Sequence, residues 1–177
     1  MHDLLLRDAA MTAAVLAFFA AAWFGWAQEH PRPGWRAPLT AGSVGGLLVA
    51  AAAGAVAGVN WDSGSVLDGR DAFGDYLVIV GVEFTTAAAG AVLLAVLRRA
   101  RYIPVWICLV VGVHFFPMAG VLDNPALYGL AVLLTAAALL APIAAARTRV
   151  PVSLATGVPA GTVLLVFALW AGGAAAL

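Results

Sequence analysis

Two residues in this chain combine proton chemistry with an unusual setting, Glu83 and His114. Each interrupts a long apolar run. An ionisable group at the centre of a membrane-length helix costs about 2.5–3.5 kcal/mol on insertion scales, so such groups are rarely placed there idly. A carboxyl and an imidazole both hold or pass a proton near neutral pH once their surroundings are tuned. Counted from the nearest arginines, Glu83 lies 15 residues before Arg98 and His114 lies 13 residues after Arg101. At 1.5 Å per helical residue these are heights of about 22 and 20 Å, so the two lie at one depth.

The surroundings of the pair follow helical spacing. The face that carries Glu83 also carries Tyr76, Ile79, Thr86 and Gly90. Thr86 is placed to hydrogen-bond the carboxylate or to bond back to its own helix, the commoner local pattern. Pro117 follows His114 by three positions and removes the donor that the Val113 carbonyl would otherwise meet, so a kink beside the site is expected. Pro159 interrupts a later span in the same way. Two roles suit the pair equally: a proton- or ligand-binding centre, and a polar staple that fixes helix register.

The elements that must position these groups are transmembrane helices. Of 177 residues, 64% are hydrophobic and 10% charged, and the mean hydropathy is +1.00. A soluble domain carries about 25% charged residues, so this chain has too little polar surface to coat a water-soluble globule. Apolar runs at about 9–27, 39–59, 72–97, 102–122, 125–146 and 150–176 each suffice to cross about 30 Å of hydrocarbon. The fold expected is all-α: one domain, a polytopic membrane bundle of six transmembrane helices. The first run resembles a signal peptide at Gly25-Trp26-Ala27, but the leader Met1–Asp8 holds two acids and one Arg, the wrong charge for one. Pro31, Pro33 and Gly34 break the chain after it, and Asp123-Asn124-Pro125 is a turn with a helix cap built in.

All nine basic residues are arginine. Seven fall in the first, third and fifth loops and two in the N-terminal segment and second loop, so the odd loops are expected in the cytoplasm and both termini outside. Asp62, Asp68, Asp71 and Asp75 then form a solvated external cap. Trp23, Trp26, Trp35, Trp61 and Trp170 fall near helix ends as interface anchors. The Arg-only, Ala- and Gly-rich composition points to a GC-rich bacterial genome, hence a multi-pass protein of the bacterial inner (plasma) membrane.

Several chemistries lack their residues. Formal net charge is zero, which gives no basic surface for nucleic acid. Cys108 is the single cysteine and reads as a small buried hydrophobe. A haem needs two facing axial ligands, yet His2 and His30 lie near the ends of the first helix, far from His114 in depth. No metal and no cofactor is expected, and no phosphate loop or nucleophile elbow is present.

Gly42, Gly46, Ala50, Gly54 and Gly58 form an unbroken small-x-x-x-small ridge on the second helix. The ridge predicts close helix packing, either within the subunit or as the seam of a homo-oligomer. On either reading a Leu at Gly46 or Gly54 should disrupt assembly.

The stretch Val111-Gly112-Val113-His114-Phe115-Phe116-Pro117-Met118-Ala119, with Tyr128-Gly129 after it, resembles a signature in short bacterial integral membrane proteins of uncharacterised function. In these a G-x-H-F-x-P-x-A string ends one helix and a Tyr or Gly opens the next. The resemblance covers about a fifth of the chain and implies that His114 and Pro117 are family features. It brings no activity with it.

The leading functional expectation is proton-linked transport or permeation of a small solute through a Glu83–His114 centre. The alternatives are a non-catalytic subunit of a membrane complex, and an intramembrane enzyme acting on a lipid-soluble substrate with Phe84, Phe115 and Phe116 lining its pocket.

Overall fold

The computed structural model describes residues 6–176. Six long helices account for most of them: α1 (Leu6–Trp26), α2 (Arg36–Val59), α3 (Arg70–Val96), α4 (Ile103–Val121), α5 (Ala126–Thr148) and α6 (Val152–Ala176). Each is long and apolar enough to cross a membrane, and no strand occurs among the described residues. The chain is an all-α, multi-pass membrane bundle. Every expected span agrees with its helix to within three residues at either end. Met1–Leu5, and with them most of the leader and His2, lie outside the described residues.

Local chemistry sets the helix ends. α2 starts at Arg36 rather than near Leu39, because Pro38 is tolerated in a first turn where no backbone donor is yet needed. After α3, Arg98 turns left-handed (φ 56°) and the Arg99 N–H reaches back to the Leu94 carbonyl at 2.7 Å, a Schellman closure usually given to glycine. Asp123 (φ 46°) ends α4 in the same manner, with Asn124 N–H to the Ala119 carbonyl at 3.0 Å. The buried Asn124 side chain then accepts from the Ala126 N–H at 3.2 Å and starts α5. Pro142 inside α5 is a third helix-interior proline, beside Pro117 and Pro159.

Neighbour to neighbour, the helices run α2, α1, α6, α5, α4, α3. The most buried helix is α1. Its Ala13, Ala17 and Ala20 are fully covered, and small residues approach it from both sides. A methyl group on Gly46 of α2 would sit 2.9 Å from the Ala17 carbonyl oxygen, and one on Gly157 of α6 would sit 2.7 Å from the Trp23 carbonyl oxygen. Phe24 fills the space between, its ring against Gly42 of α2 and Gly161 of α6. Lipid offers no hydrophobic drive between helices, so such close approach supplies dispersion and Cα–H···O contacts worth about 0.5–1 kcal/mol each.

The α2 ridge is therefore divided. Gly42 and Gly46 pack within the subunit and Ala50 is half-buried, whereas Gly54 and Gly58 meet nothing within 4 Å. Trp23 also departs from its expected role as an interface anchor. It lies in the core, stacked on Trp26 with ring centroids 5.4 Å apart.

α3 occupies the other edge, with α4 its one substantial neighbour among the long helices; none of its described side chains is buried. Because α2 and α3 are consecutive yet at opposite edges, the segment between them must cross an end of the bundle. It does so as two short 3-10 turns, Trp61–Ser63 and Val66–Asp68, tied to the start of α1. The Arg7 guanidinium donates to the Trp61 carbonyl (2.7 Å) and to Asp68 Oδ1 (2.9 Å) while lying over the Trp61 ring. Asp8 accepts from the Val66 N–H at 2.8 Å. Arg7 and the Ser65 backbone N–H together hold the Asp68 carboxyl below its ordinary range. Asp62, Asp71 and Asp75 are exposed.

Candidate functional site

The α3–α4 hairpin fixes the site. Its Schellman turn reverses the chain tightly, so residues equally distant from the turn lie side by side. Glu83 falls near the middle of the 27-residue α3, and His114 lies opposite it on α4. His114 Nδ1 comes within 3.5 Å of Glu83 Oε1.

A second contact decides how the imidazole is used. Nδ1 lies 2.7 Å from the carbonyl oxygen of Val111, one turn back on α4. A carbonyl oxygen only accepts, so this geometry assigns the proton to Nδ1. In the neutral ring Nε2 is then a bare acceptor. The contact runs to Val111, not to the Val113 carbonyl that Pro117 leaves without a donor. Glu83 meets the same N–H from the side and at longer range, a loose pair and not a tight ion pair.

The pair is only partly covered: 12% of the His114 side chain and 16% of that of Glu83 remain accessible. Neither carboxyl oxygen nor Nε2 has a hydrogen-bond partner among the described residues. None of the three is sealed off, because the one sealed, unpartnered side-chain polar atom there is Thr135 Oγ1. They open into a groove of about 470 Å³ between α3 and α4, walled by Val78, Val82, Leu109, Val110 and Val113, with Pro117 at one end. Val78, Val82 and Val113 are 50% exposed or more, so the groove opens sideways, toward lipid for helices that span a membrane.

Thr86 lines the groove one turn from Glu83, but its hydroxyl makes neither expected hydrogen bond among the described residues. Its backbone carbonyl is used instead and accepts from Trp106 Nε1–H at 3.1 Å. The indole occupies the notch left by Gly90, where a methyl group would collide with Trp106 Nε1. Trp106 thus closes the groove toward the arginine-bearing turn. Sequence reasoning missed it. The available signal was a tryptophan in the first turn of the fourth span, whose N–H needs an acceptor, and a glycine, Gly90, on the same face of the preceding span as Glu83 and Thr86.

Among the described residues no group of three or more His, Cys, Asp or Glu side chains converges to hold a metal ion. Pro159, Cys108 and the glycine ridge are not among the residues that line the groove. Cys108 is buried and donates weakly to the Leu134 carbonyl at 3.5 Å. The arrangement can hold a proton between a carboxyl and an imidazole, and can accept hydrogen bonds from a guest arriving from the membrane. No protein-family model, curated protein or solved structure matches the chain.

Proposed function

We propose that the protein moves protons together with, or in exchange for, a small solute through the Glu83–His114 centre, and that the solute reaches it sideways from the bilayer. The observation that carries this reading is the 3.5 Å approach of the two side chains at the floor of a groove open to lipid. Intramembrane ionisable groups at such sites commonly mark ion and proton pathways. The α4 proline and the single-neighbour packing of α3 would let the two helices separate by modest rocking. The seven-to-two distribution of arginines supports both termini lying outside, in a bacterial inner membrane. The G-x-H-F-x-P-x-A string supports kinship with short bacterial membrane proteins that share it.

The test is reconstitution of the full chain into liposomes loaded with a pH-sensitive dye. Glu83→Gln should abolish proton flux while the purified protein keeps its helicity and thermal midpoint. Unchanged flux in a folded Glu83→Gln protein removes the reading. A second reading, a subunit of a membrane complex, is favoured by one observation: no described residue of α3 is buried within the chain. Native mass spectrometry from the membrane would then find a stoichiometric partner or a homo-oligomer, and Gly54 and Gly58 offer a close-packing surface for the latter.

A further inference from the structure

The groove presents hydrogen-bond acceptors while its two side-chain N–H donors are already used. The Trp106 N–H is given to the Thr86 carbonyl, and the His114 Nδ1–H to the Val111 carbonyl. Among the residues lining the groove, the side-chain groups left without a hydrogen bond are the Glu83 carboxyl, His114 Nε2 and the Thr86 hydroxyl, each able to accept. Among the described residues lining the groove only His114 can carry positive charge, and its Nδ1–H is already given to Val111. Along α3 the nearest arginines, Arg70 and Arg98, are 13 and 15 residues from Glu83, about 20 Å at helical rise. The other described ion pair, Arg7–Asp68, lies at the end of the bundle.

A carboxylate in apolar surroundings needs a counter-charge, and His114 supplies at most a side-on share of one N–H. Two species neutralise it: a proton, or a cation brought by a guest. The walls are aliphatic and the mouth opens to lipid, so a hydrated metal ion would lose its water without gaining ligands. An organic cation with an apolar body keeps that body against Val78, Val82 and Val113. The volume lies within the range of small-molecule sites. Bare acceptors favour a guest that still has a proton to donate.

The geometry points to a binding site for a lipophilic ammonium cation, a protonated amine on an apolar body, seated between α3 and α4 with its N–H on the Glu83 carboxylate. This deepens the proton-linked reading and rests on it. Binding exchanges one charge for another: the ammonium ion and the Glu83 carboxylic acid give an ammonium carboxylate pair and one released proton. The exchange is electroneutral within the membrane. The titratable groups facing Glu83 are few. His114 comes from α4, and Tyr76 and Asp75 lie further along α3. Asp68, in the turn that packs on α3, is paired with Arg7.

The test uses the full chain in nanodiscs and isothermal calorimetry with four probes sharing one alkyl body: N,N-dimethyloctylamine, trimethyloctylammonium, octanol and octyl sulfate, with empty nanodiscs subtracted. The tertiary amine should bind with release of one proton, read from buffers of differing ionisation heat. The quaternary ion should bind more weakly, and the alcohol and sulfate not at all. Glu83→Gln should weaken amine binding about thirtyfold or more, as removal of one partner from a buried charge pair does. Should Glu83→Gln fail to fold, Val113→Trp fills the lipid-facing mouth without touching the pair and should block the amine equally. Equal binding of octanol or octyl sulfate, or amine binding indifferent to both substitutions, would each overturn the assignment. Glu83-dependent proton flux without amine binding overturns the solute class alone; absence of both overturns the underlying reading.

Discussion

Gly46 and Gly54 lie eight residues apart on the same face of α2, yet the structure assigns them opposite fates. A methyl group at Gly46 would come within 2.9 Å of the Ala17 carbonyl oxygen and 3.0 Å of the Ala21 backbone nitrogen. Both are main-chain atoms of α1 and cannot rotate aside, so α2 must move outward and lift Gly42 from the Phe24 ring. A methyl at Gly54 meets nothing within 4 Å. Replacing glycine by alanine brings the same helix-propensity gain at both positions, up to about 1 kcal/mol, which cancels in the comparison. The difference isolates overpacking, about 1–3 kcal/mol. Gly46→Ala should therefore be less stable than Gly54→Ala by that amount, measured by steric trapping or reversible detergent unfolding in bicelles. A difference below about 0.5 kcal/mol refutes the close α1–α2 seam. A larger loss at Gly54 than at Gly46 means that the open half of the ridge is covered by another chain.

Three further outcomes follow from the packing. Trp106→Phe keeps the ring over Gly90 but removes the donor to the Thr86 carbonyl, and should lower stability by about 0.5–1.5 kcal/mol and speed amide exchange in the middle of α3. Thr135→Val replaces a sealed hydroxyl without a partner by a methyl of similar size, and should raise stability by about 1 kcal/mol in the same unfolding assay; a loss would show that the hydroxyl is bonded. Arg7→Ala should loosen the crossing segment, seen as faster hydrogen exchange at Ser63–Asp68, with α4–α6 unchanged. Because Asp68 titrates below its usual 3.8 when folded, its contribution is present above that value and is lost as pH falls through the lowered one. Protection of the Val66–Asp68 amides in the wild type, measured relative to the intrinsic exchange rate at each pH, should accordingly fall at strongly acidic pH and stay constant near neutrality.

The six spans were legible because hydropathy and helix-breaking residues mark where a chain crosses and turns, and a crossing needs length more than detail. The common depth of Glu83 and His114 was legible for the same reason: helical rise converts residue counts from Arg98 and Arg101 into height. Rotation about each helix axis was not. In water an apolar stripe marks the buried face, but α3 is apolar all round, since lipid and core ask for the same side chains. Hence nothing in the sequence said that α3 would face one neighbour, or that the imidazole would turn to Val111. The glycine ridge announced close approach without naming the partner, and only the folded bundle divides Gly42 and Gly46 from Gly54 and Gly58. Trp23, near a helix end, was indistinguishable by position from a true interface tryptophan.

The position of α1 between α2 and α6 has a bearing on biogenesis. Of the six spans, α1 is made first and α6 last, so half of the alanine surface of α1 waits for its partner until synthesis of the bundle is nearly done. The α1–α2 hairpin can form early, yet Trp23 and Ala27 gain the cover of Gly157 only when the final span inserts. A nascent chain stalled before Val152 would expose that bare strip to the lipid, a mark by which membrane proteases could tell unfinished molecules from complete ones.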